Sequence, residues 1–471
     1  MHRRRHDDDH GVVRAAALLL ALAASTGANA LEVTLERAVQ ATLTGQRALR
    51  TAQYSAQGEQ LGVQTARSAF DLKILPTGSV GRINDSAITS STGYNGSVGV
   101  QFSKAFEATG TQIALGPSYN RSGSETNTTL TLHVQQPLLR GWDSVVTLDP
   151  VRRAEHAYAA SQRALDQARV NATLETITAY YGALRDQRLA QFAESQRKRI
   201  DEHTAIAQSK ERSGLIGPMD LLRAKVRLKD AEDAVNQARV SEQAAMNRLK
   251  RAMDVPLDTD ITLAAPREAP LEAMDFEGEA IANRVEIVQL RADLDEAARQ
   301  AEVAQRNIRP EVTLHITAGQ ATQVVPFLVQ FVPTTSRQWA VYLESSAEFS
   351  RKAEENAWRQ ALLRVESTRL ALETRTEEIR RQVREQRLQL ADLKVRIGLR
   401  EEQIHQAESR LALAQVKFSH DMASNLDVIE AETELQRAAA SLAGARADYA
   451  VGIYQLRAMA GHLLDSMGAA T

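Results

Sequence analysis

Apolar residues recur along the chain at three- and four-residue intervals in some segments and at every second position in others. The first spacing is typical of helices that bury a narrow apolar seam in a coiled coil. It occurs at Val170, Leu174, Ile177, Tyr181 and Leu184, and as strict sevens at Val383, Leu390, Ile397, Ile404 and Leu411. The segments around these seams are rich in Ala, Arg, Glu, Gln and Leu. They predict long helices over about 32–71, 151–213, 219–254, 276–309 and 351–460.

Two other stretches, 76–142 and 311–349, are rich in Gly, Ser, Thr, Asn and Val, and alternate between apolar and polar residues. Alternation with turn residues between the runs predicts antiparallel strands. Ten of the 21 aromatic residues lie in these two stretches, a bias that membrane barrels show where their aromatic girdles lie. A β-sandwich insert in a soluble protein is the alternative. The first stretch is long enough for four strands, or for two strands and a hairpin.

The chain contains an internal repeat with an offset of 207 residues. Residues 216–224 parallel residues 423–431, and at the same offset Leu228 corresponds to Leu435 and Leu249 to Leu456. Each half consists of a helix, strands, a long helix, a turn and a second helix. We therefore predict one repeat over 31–265 and another over 266–471.

The N-terminus has the composition of a secretory signal peptide. Arg3, Arg4 and Arg5 precede an apolar run over 15–24, and small residues at Ala28 and Ala30 fit a signal peptidase site. We predict that residues 1–30 are this signal, so the histidines and aspartates within 2–10 belong to a leader and not to a metal site. No later apolar run approaches 18 residues, so only strands could hold the mature chain in a membrane.

Composition excludes several classes of chemistry. The chain has no cysteine, so it has no disulfide, no thiolate metal site, no cysteine nucleophile and no lipidated cysteine. The 57 Lys and Arg residues nearly balance the 59 Asp and Glu residues, which gives no electrostatic basis for nucleic-acid binding. The sequence has no nucleophile elbow, zinc-protease helix or phosphate-binding loop in a suitable context. We predict a protein that is not an enzyme and has no cofactor or metal.

Several short motifs, taken in chain order, resemble the TolC-like outer-membrane efflux protein family. They are residues 136–141, 217–224, 283–286, 425–431 and 447–449. The resemblance covers almost the whole mature chain. It implies a mainly α fold in which three copies form one helical tunnel in the periplasm and share one transmembrane β-barrel in the outer membrane. It also implies passive export together with a periplasmic adaptor and an inner-membrane pump, in contact with outer-membrane lipid.

The same resemblance assigns a gate at the ends of the helices far from the strands. The acids matching Asp220, Asp427 and Glu430 close the periplasmic end of the tunnel in the family. Asp427 and Glu430 are three residues apart and so share one helix face. An alternative role for Asp220 is a helix N-cap. Phe418 and Ala423 stand where the family has a locking hydroxyl and a locking arginine, so these parts of the lock are missing.

The two helix–helix turns are the expected contact surface for the adaptor. The residues predicted to make this contact are Gly214, Leu215, Ile216, Gly217, Phe418, Met422 and Ser424. The second turn lacks the glycine that the family usually has there. Val285 replaces the proline usual at the helix start in 283–286, and residues 347–349 replace a Pro-Leu step at the end of the second strand stretch.

Two other functions agree with these features. One is export of proteins or peptides by the same fold. The other is a periplasmic coiled-coil scaffold or adaptor without a pore.

Overall fold

The computed structural model of the chain describes residues 31–85, 91–122, 125–266, 274–327, 330–346, 350–420 and 422–467. The predicted signal peptide (1–30) and residues 347–349 lie outside the described residues. In chain order the elements are β1 (Leu31–Val33), α1 (Leu35–Gly45), α2 (Arg47–Arg67), β2 (Lys73–Asp85), β3 (Ser91–Ala105), β4 (Gln112–Ser122), β5 (Glu125–Pro137), α3 (Ser144–Thr147), α4 (Asp149–Arg212), α5 (Pro218–Ala252), β6 (Ile261–Leu263), α6 (Phe276–Asn283), α7 (Val285–Asn307), β7 (Glu311–Phe327), β8 (Gln330–Ser346), α8 (Lys352–Ser419), α9 (Asn425–Met459) and α10 (Leu463–Ser466).

The long helices predicted from the heptads are present. Helices α4 and α8 contain 64 and 68 residues, and Ile177 and Val383 of their predicted seams are completely buried. None of the helices in the described ranges is both long and apolar enough to cross a membrane.

Two predicted helices are each divided in the structure. The segment predicted over 32–71 begins with β1 and breaks at Gln46, whose ψ of 126° is extended. The segment predicted over 276–309 breaks at Arg284, with a ψ of 125°, and α7 begins at Val285. The start of α7 lies within the motif at 283–286. An extended residue at each position ends the helical hydrogen bonding without a proline, and so neither break was visible in the periodicity.

The described chain forms two compact units, and each unit contains parts of both sequence repeats. One comprises the described residues within 1–47, 169–276 and 383–471, and the other those within 48–168 and 277–382. In the first unit the parallel pair β1–β6, which the sequence did not predict, is fixed by Tyr180. The buried Tyr180 hydroxyl lies 3.0 Å from the carbonyl oxygen of Val33 and 2.6 Å from that of Ala264.

The repeat is visible in the bounds of two helices. Helices α5 and α9 each have 35 residues, and they begin 207 positions apart, at Pro218 and Asn425. Their N-caps, Gly217 and Ser424, occupy corresponding positions. The two helices therefore correspond in length and position at the offset of 207 residues, but they have different residues at their N-caps.

The second unit contains a six-stranded sheet in the order β2-β3-β4-β5-β7-β8, in which every neighbouring pair is antiparallel. The first predicted strand stretch therefore contributes four strands, and the second contributes two. Residues 138–142, which were predicted within the first stretch, follow the last strand, because β5 ends at Pro137.

Candidate functional site

The register divides the sheet into an apolar face and a polar face. Val98 lies opposite Tyr119, and the next pairs on the same face include Leu115 with Leu132. Further along the sheet this face carries Ile316 opposite Val341. Because side chains alternate between faces, the intervening residues are mostly Ser, Thr, Asn, Gln and Gly. The alternation predicted from the sequence thus extends across all six strands.

The apolar face is the more exposed of the two. Leu115, Tyr119 and Leu130 in interior strands are exposed, whereas Ser118 and Thr129 on the other face are half-buried and hydrogen-bonded to each other at 2.6 Å. Polar-face residues of β2 to β5 and β7 also line a cavity of about 550 Å³. The sheet therefore curls around its polar face and leaves its apolar face outside. A sheet of a water-soluble protein does the reverse, because it covers its apolar side chains.

The two histidines of the strands lie on the polar face. His133 is exposed, whereas His315 is buried and stacks on Tyr342 with ring centroids 5.0 Å apart. The Nε2 atom of His315 lies 3.0 Å from a carboxylate oxygen of Glu344. This stack joins β7 to β8 on the polar face.

The first helix–helix turn, between α4 and α5, is closed by a glycine. Gly214 has a φ of 73°, and the N–H groups of Gly214 and Leu215 donate to the carbonyls of Glu211 and Lys210. This is a Schellman motif, which needs a left-handed residue at the position of Gly214. Leu215 is exposed beyond the motif. Ile216 packs against a buried apolar cluster that includes Phe418 and Val428, at the end of the helices that we call the tip.

Asp220 lies in the first turn of α5 but does not cap it. The N-cap is Gly217, which offers no side-chain hydrogen bond, so the alternative role of Asp220 as an N-cap is wrong. The Asp220 carboxylate is partly exposed, and Arg223 is its ion-pair partner at 3.4 Å. Its carbonyl oxygen accepts a hydrogen bond from Nδ2 of Asn425 at 2.9 Å, which joins the first turns of α5 and α9.

Asp427 has a structural role that the resemblance did not indicate. Its carboxylate accepts hydrogen bonds from the N–H and hydroxyl of Ser424 at 2.7 and 2.8 Å, and Ser424 caps α9 in return. The hydrogen bond from the Ser424 hydroxyl is the main reason that the pKa of Asp427 lies below its ordinary value. The carboxylate is therefore charged and held in a capping box.

Glu430 follows one turn later and is exposed to solvent. Arg410 lies 3.9 Å from it, and pairs more closely with Glu434. Among the residues that the structure describes, no group of three or more acidic or histidine side chains is arranged so that it could hold a metal ion.

A buried polar cluster lies beneath the two turns, and no sequence pattern predicted it. Nε2 of His203 donates to Oδ1 of Asn425 at 2.5 Å, and the imidazole contacts the ring of Phe418 in a tilted arrangement, with ring centroids 4.6 Å apart. Lys210 also lies over the Phe418 ring, with Nζ 4.6 Å from the ring centroid, and donates to the Phe418 carbonyl. We refer to His203, Asn425, Phe418 and Lys210 as the tip cluster.

Burial lowers the pKa of His203, while the Asn425 hydrogen bond and the charge of Glu432 oppose the shift. The imidazole is therefore neutral near pH 7. Phe418 departs from its predicted role at the surface, because its ring is buried within the tip cluster.

The exposed apolar residues of the tip lie on both turns and on the helices that follow them. Their side chains are between 49% and 73% exposed, and they are Leu215, Met219, Leu222, Met422 and Leu426. Met219, Leu222 and Leu426 were not predicted. The sequence could have indicated them. They are apolar residues near the starts of two helices, at positions that the long apolar seams do not require.

Comparison with known proteins identifies the family. The model of the family described as outer membrane efflux protein matches residues 38–254 and 278–462. The chain belongs to the outer membrane efflux protein family. Members of this family are channel proteins and not enzymes.

One curated relative of this family member is the alkaline protease secretion protein AprF of Pseudomonas aeruginosa. It is 26% identical over 299 residues, which cover 62% of the chain and 61% of the relative. The chain thus matches about three fifths of that relative's length.

Solved structures of the same fold include the CmeC outer membrane channel of Campylobacter jejuni, with a TM-score of 0.70 at 14% identity over 91% of this chain and 86% of that one. The outer membrane protein VceC of Vibrio cholerae has a TM-score of 0.67 at 18% identity over 92% and 96%. At these identities the likeness establishes the fold alone.

Proposed function

We propose that this protein is a passive exit duct of the outer membrane, through which an inner-membrane pump exports its substrates. The observation that carries the proposal is the sheet with its exposed apolar face and its inner polar face. Such a sheet is stable where lipid covers the apolar face and water fills the space at the polar face. Membership of the outer membrane efflux protein family supports the same function.

In this proposal three copies assemble into one duct. Their sheets would share one transmembrane β-barrel, and their long helices would form a tunnel through the periplasm. Helices of 64 and 68 residues would each extend for about 100 Å at 1.5 Å per residue.

The tips would form the periplasmic gate, with Asp427 and Glu430 of three copies supplying six carboxylates around a narrow opening. A ring of carboxylates favours cations and repels anions. The structural support is that Asp427 is charged and fixed by Ser424, and that Glu430 is exposed one turn away. Asp220 would join the gate through the Asn425 link between α5 and α9.

The exposed apolar residues of the two turns would bind the periplasmic adaptor. Leu215, Met219 and Met422 are each at least 60% exposed, and apolar residues in such a group favour a protein partner. Phe418 would support this surface from beneath.

Planar bilayer recordings of the purified protein test the gate. We expect Asp427→Asn with Glu430→Gln to lower the preference for cations and to change single-channel conductance, because the shape is kept and the charge removed. Glu408→Gln, at an exposed acid on α8, is the matched control. Unchanged conductance and unchanged ion preference in the double variant would remove the acidic gate from the proposal.

Envelope fractionation separates a duct from a periplasmic scaffold. We expect the protein to stay with outer membranes after a carbonate wash. Recovery in the soluble periplasmic fraction would favour the scaffold and contradict the duct.

Export of a protein is a second candidate, and the similarity to AprF, a protease secretion protein, favours it. Deleting this chain in its host should then abolish secretion of a protein. A deletion strain that secretes normally but accumulates small toxic compounds would favour efflux.

A further inference from the structure

Charged residues are divided unequally between the two faces of the six-stranded sheet. The acids of the strands whose side chains the structure describes, Glu125, Glu311 and Glu344, lie on the polar face. Within the same described strands, the charged residues of the apolar face are all cations. They are Arg82, Lys104, Arg121 and Arg337, and all four are exposed. The apolar face therefore carries charge of one sign.

Three of these cations follow the exposed apolar residues of their strands on the side away from the helices. We call Arg82, Arg121 and Arg337 the arginine row. The register carries Arg121 to Gly96 on β3 and then to Val80 on β2. Arg82 lies two residues beyond Val80, away from the helices.

In the other direction the register carries Arg121 to Thr126, Val324 and finally Pro333 on β8. Arg337 lies four residues from Pro333, towards the helices. From β2 to β8 the arginine row therefore descends by six residues over five strand spacings. This is about 20 Å over about 24 Å, a slope of about 40°.

The slope of the arginine row has a simple meaning in a membrane. Strands of transmembrane barrels are inclined by about 35–45° to the membrane normal. With this inclination, residues on a line that slopes by about 40° across the sheet lie at one depth. The three arginines would therefore be level in the proposed duct.

The apolar residues of the same face slope in the same way. On β2 the exposed apolar residues extend from Ile74 to Val80, and Arg82 lies five residues beyond their centre. On β8 they extend from Trp339 to Leu343, and Arg337 lies four residues beyond their centre. These offsets place the row about 11 Å from the middle of the apolar band, and the band of a membrane barrel is about 25 Å tall. The arginine row therefore lies at the border of the band.

Aromatic residues mark the same border. The guanidinium carbon of Arg82 lies 6.0 Å from the ring centroid of Tyr94, which is its partner in the register. Tyr119 and Trp339 precede the other two arginines by two residues on the side of the band, and both are exposed. Tyrosine and tryptophan are enriched where the membrane meets water. The arginine row thus has the depth at which lipid headgroups lie.

The border nearer the helices is different. On the apolar face of the described strands it carries one cation, Lys104 of β3, whose partners along the register include Ile113 and Val134. Because the helices of the duct would lie in the periplasm, Lys104 would face the inner leaflet and the arginine row the outer leaflet. Three arginines against one lysine indicate that the outer-leaflet lipid carries more negative charge.

We propose that the arginine row binds the phosphate groups of a phosphorylated glycolipid in the outer leaflet of the outer membrane. The proposal rests on the proposed function and names the lipid that this face contacts. Arginine forms paired hydrogen bonds with phosphate oxygens, and such charged contacts are strong beside lipid, where the effective dielectric constant is low. A row that extends over about 24 Å fits a headgroup with more than one phosphate.

Titration of the purified protein in detergent with lipid A, a phosphorylated glycolipid, tests the arginine row. Microscale thermophoresis at a fixed, low salt concentration gives the Kd. We expect Arg82→Gln with Arg121→Gln and Arg337→Gln to raise the Kd at least tenfold, because one cation near an anionic surface contributes about fivefold. Lys104→Gln, which removes a cation from the other border of the same face, should leave the Kd within twofold of that of the unsubstituted chain.

Four results would overturn the proposal. One is an unchanged Kd in the triple glutamine variant, and another is equal affinity for lipid A whose phosphate groups have been removed. Equal affinity for phosphatidylglycerol would assign the row to phospholipid headgroups. Displacement of lipid A by the same concentration of inorganic phosphate would assign it to free phosphate.

Two controls separate this proposal from loss of folding and from the proposed function. Circular dichroism at 222 nm shows whether the triple variant is folded. If it is not, the three single glutamine variants replace it, and each should raise the Kd severalfold. If the unsubstituted chain stays with outer membranes while the glutamine variants bind lipid A equally well, the arginine row is wrong and the duct stands. Recovery of the unsubstituted chain in the soluble fraction contradicts the duct, and the lipid site with it.

Discussion

At the scale of single residues, His203 connects the stability of the tip to pH. Its pKa is lowered in the folded chain by burial, so the unfolded chain binds a proton at a higher pH than the folded chain. The stability contributed by neutral His203 is therefore present above its unfolded pKa of about 6.5, and it is lost as the pH falls below that value. Glu432 opposes this loss and Lys210 adds to it, because these charges face the imidazole.

We expect acidification from pH 7.5 to 5.5 to lower the thermal midpoint of the native protein more than that of His203→Gln, whose amide does not titrate. Circular dichroism at 222 nm in detergent measures both. His405→Gln, at an exposed histidine of α8, should behave like the native chain. An equal loss of stability in the native chain and His203→Gln would show that other groups cause the pH dependence.

Two equivalent residues of the repeats give a second prediction. Asp254 and Gly461 lie 207 positions apart, just after α5 and α9, and both have positive φ, at 54° and 82°. A side chain in this conformation costs about 1 kcal/mol, and less for Asp than for most residues. The ion pair of Asp254 with Arg47, at 3.6 Å, is exposed and contributes little.

We therefore expect Asp254→Gly to raise the free energy of unfolding by about 0.5 kcal/mol, and Gly461→Ala to lower it by about 1 kcal/mol. Chemical denaturation followed by circular dichroism measures these changes. A loss of stability in Asp254→Gly as large as that in Gly461→Ala would mean that the aspartate side chain holds the turn.

At the scale of elements, α5 and α9 have equal lengths but unequal caps. Ser424 and Asp427 form a capping box at the start of α9. At the start of α5, Gly217 has no side chain to form a hydrogen bond, and Asp220 occupies the position that corresponds to Asp427. Removing a serine N-cap costs about 1 kcal/mol, and adding one in place of glycine contributes a few tenths.

We expect Ser424→Ala to raise amide hydrogen exchange in the first turn of α9 about fivefold, which corresponds to 1 kcal/mol. Gly217→Ser should slow exchange in the first turn of α5, since it completes a box with Asp220. Ser409→Ala, in the interior of α8, is the control for the loss of a hydroxyl. Faster exchange at α5 in Gly217→Ser would contradict the equivalence of the two turns.

The elements differ in how well the sequence predicts them. Heptads at Val170–Leu184 and Val383–Leu411 predicted α4 and α8, because the apolar residues of a coiled-coil seam recur in successive turns of one continuous segment. β1 and β6 have three residues each, too few to carry a period, and they form through distant contacts with Tyr180. The capping box could have been found, since Ser424 and Asp427 have its spacing. The bond between His203 and Asn425 joins residues 222 positions apart, and no local pattern marks it.

At the scale of the whole molecule, the two faces of the sheet predict opposite responses to charge. Leu130 lies on the apolar face and its neighbour Thr131 on the polar face. An arginine on the lipid face of a barrel costs about 2–4 kcal/mol at the middle of the bilayer, whereas an arginine towards water costs little.

We expect Leu130→Arg to reduce the amount of protein in the outer membrane severalfold, and Thr131→Arg to leave it nearly unchanged. Immunoblotting of fractionated envelopes measures both. A similar loss in the two variants, or a loss in Thr131→Arg alone, would contradict the assignment of the faces.

The sheet also has a consequence for the order in which the chain folds. β2, β3, β4 and β5 pair in sequence order as successive hairpins, and β7 and β8 form another, but the pairing of β5 with β7 joins Thr131 to Gly319, 188 positions later. Closing so long a loop costs more entropy than forming a hairpin, and it slows folding. The hairpins should therefore form first, and the pairing of β5 with β7 should be the last step within a copy. In the proposed duct, the first four strands would form one antiparallel sheet before the second half of the chain reaches them. The apolar face of that sheet would be uncovered during the interval, so it would need protection from aggregation.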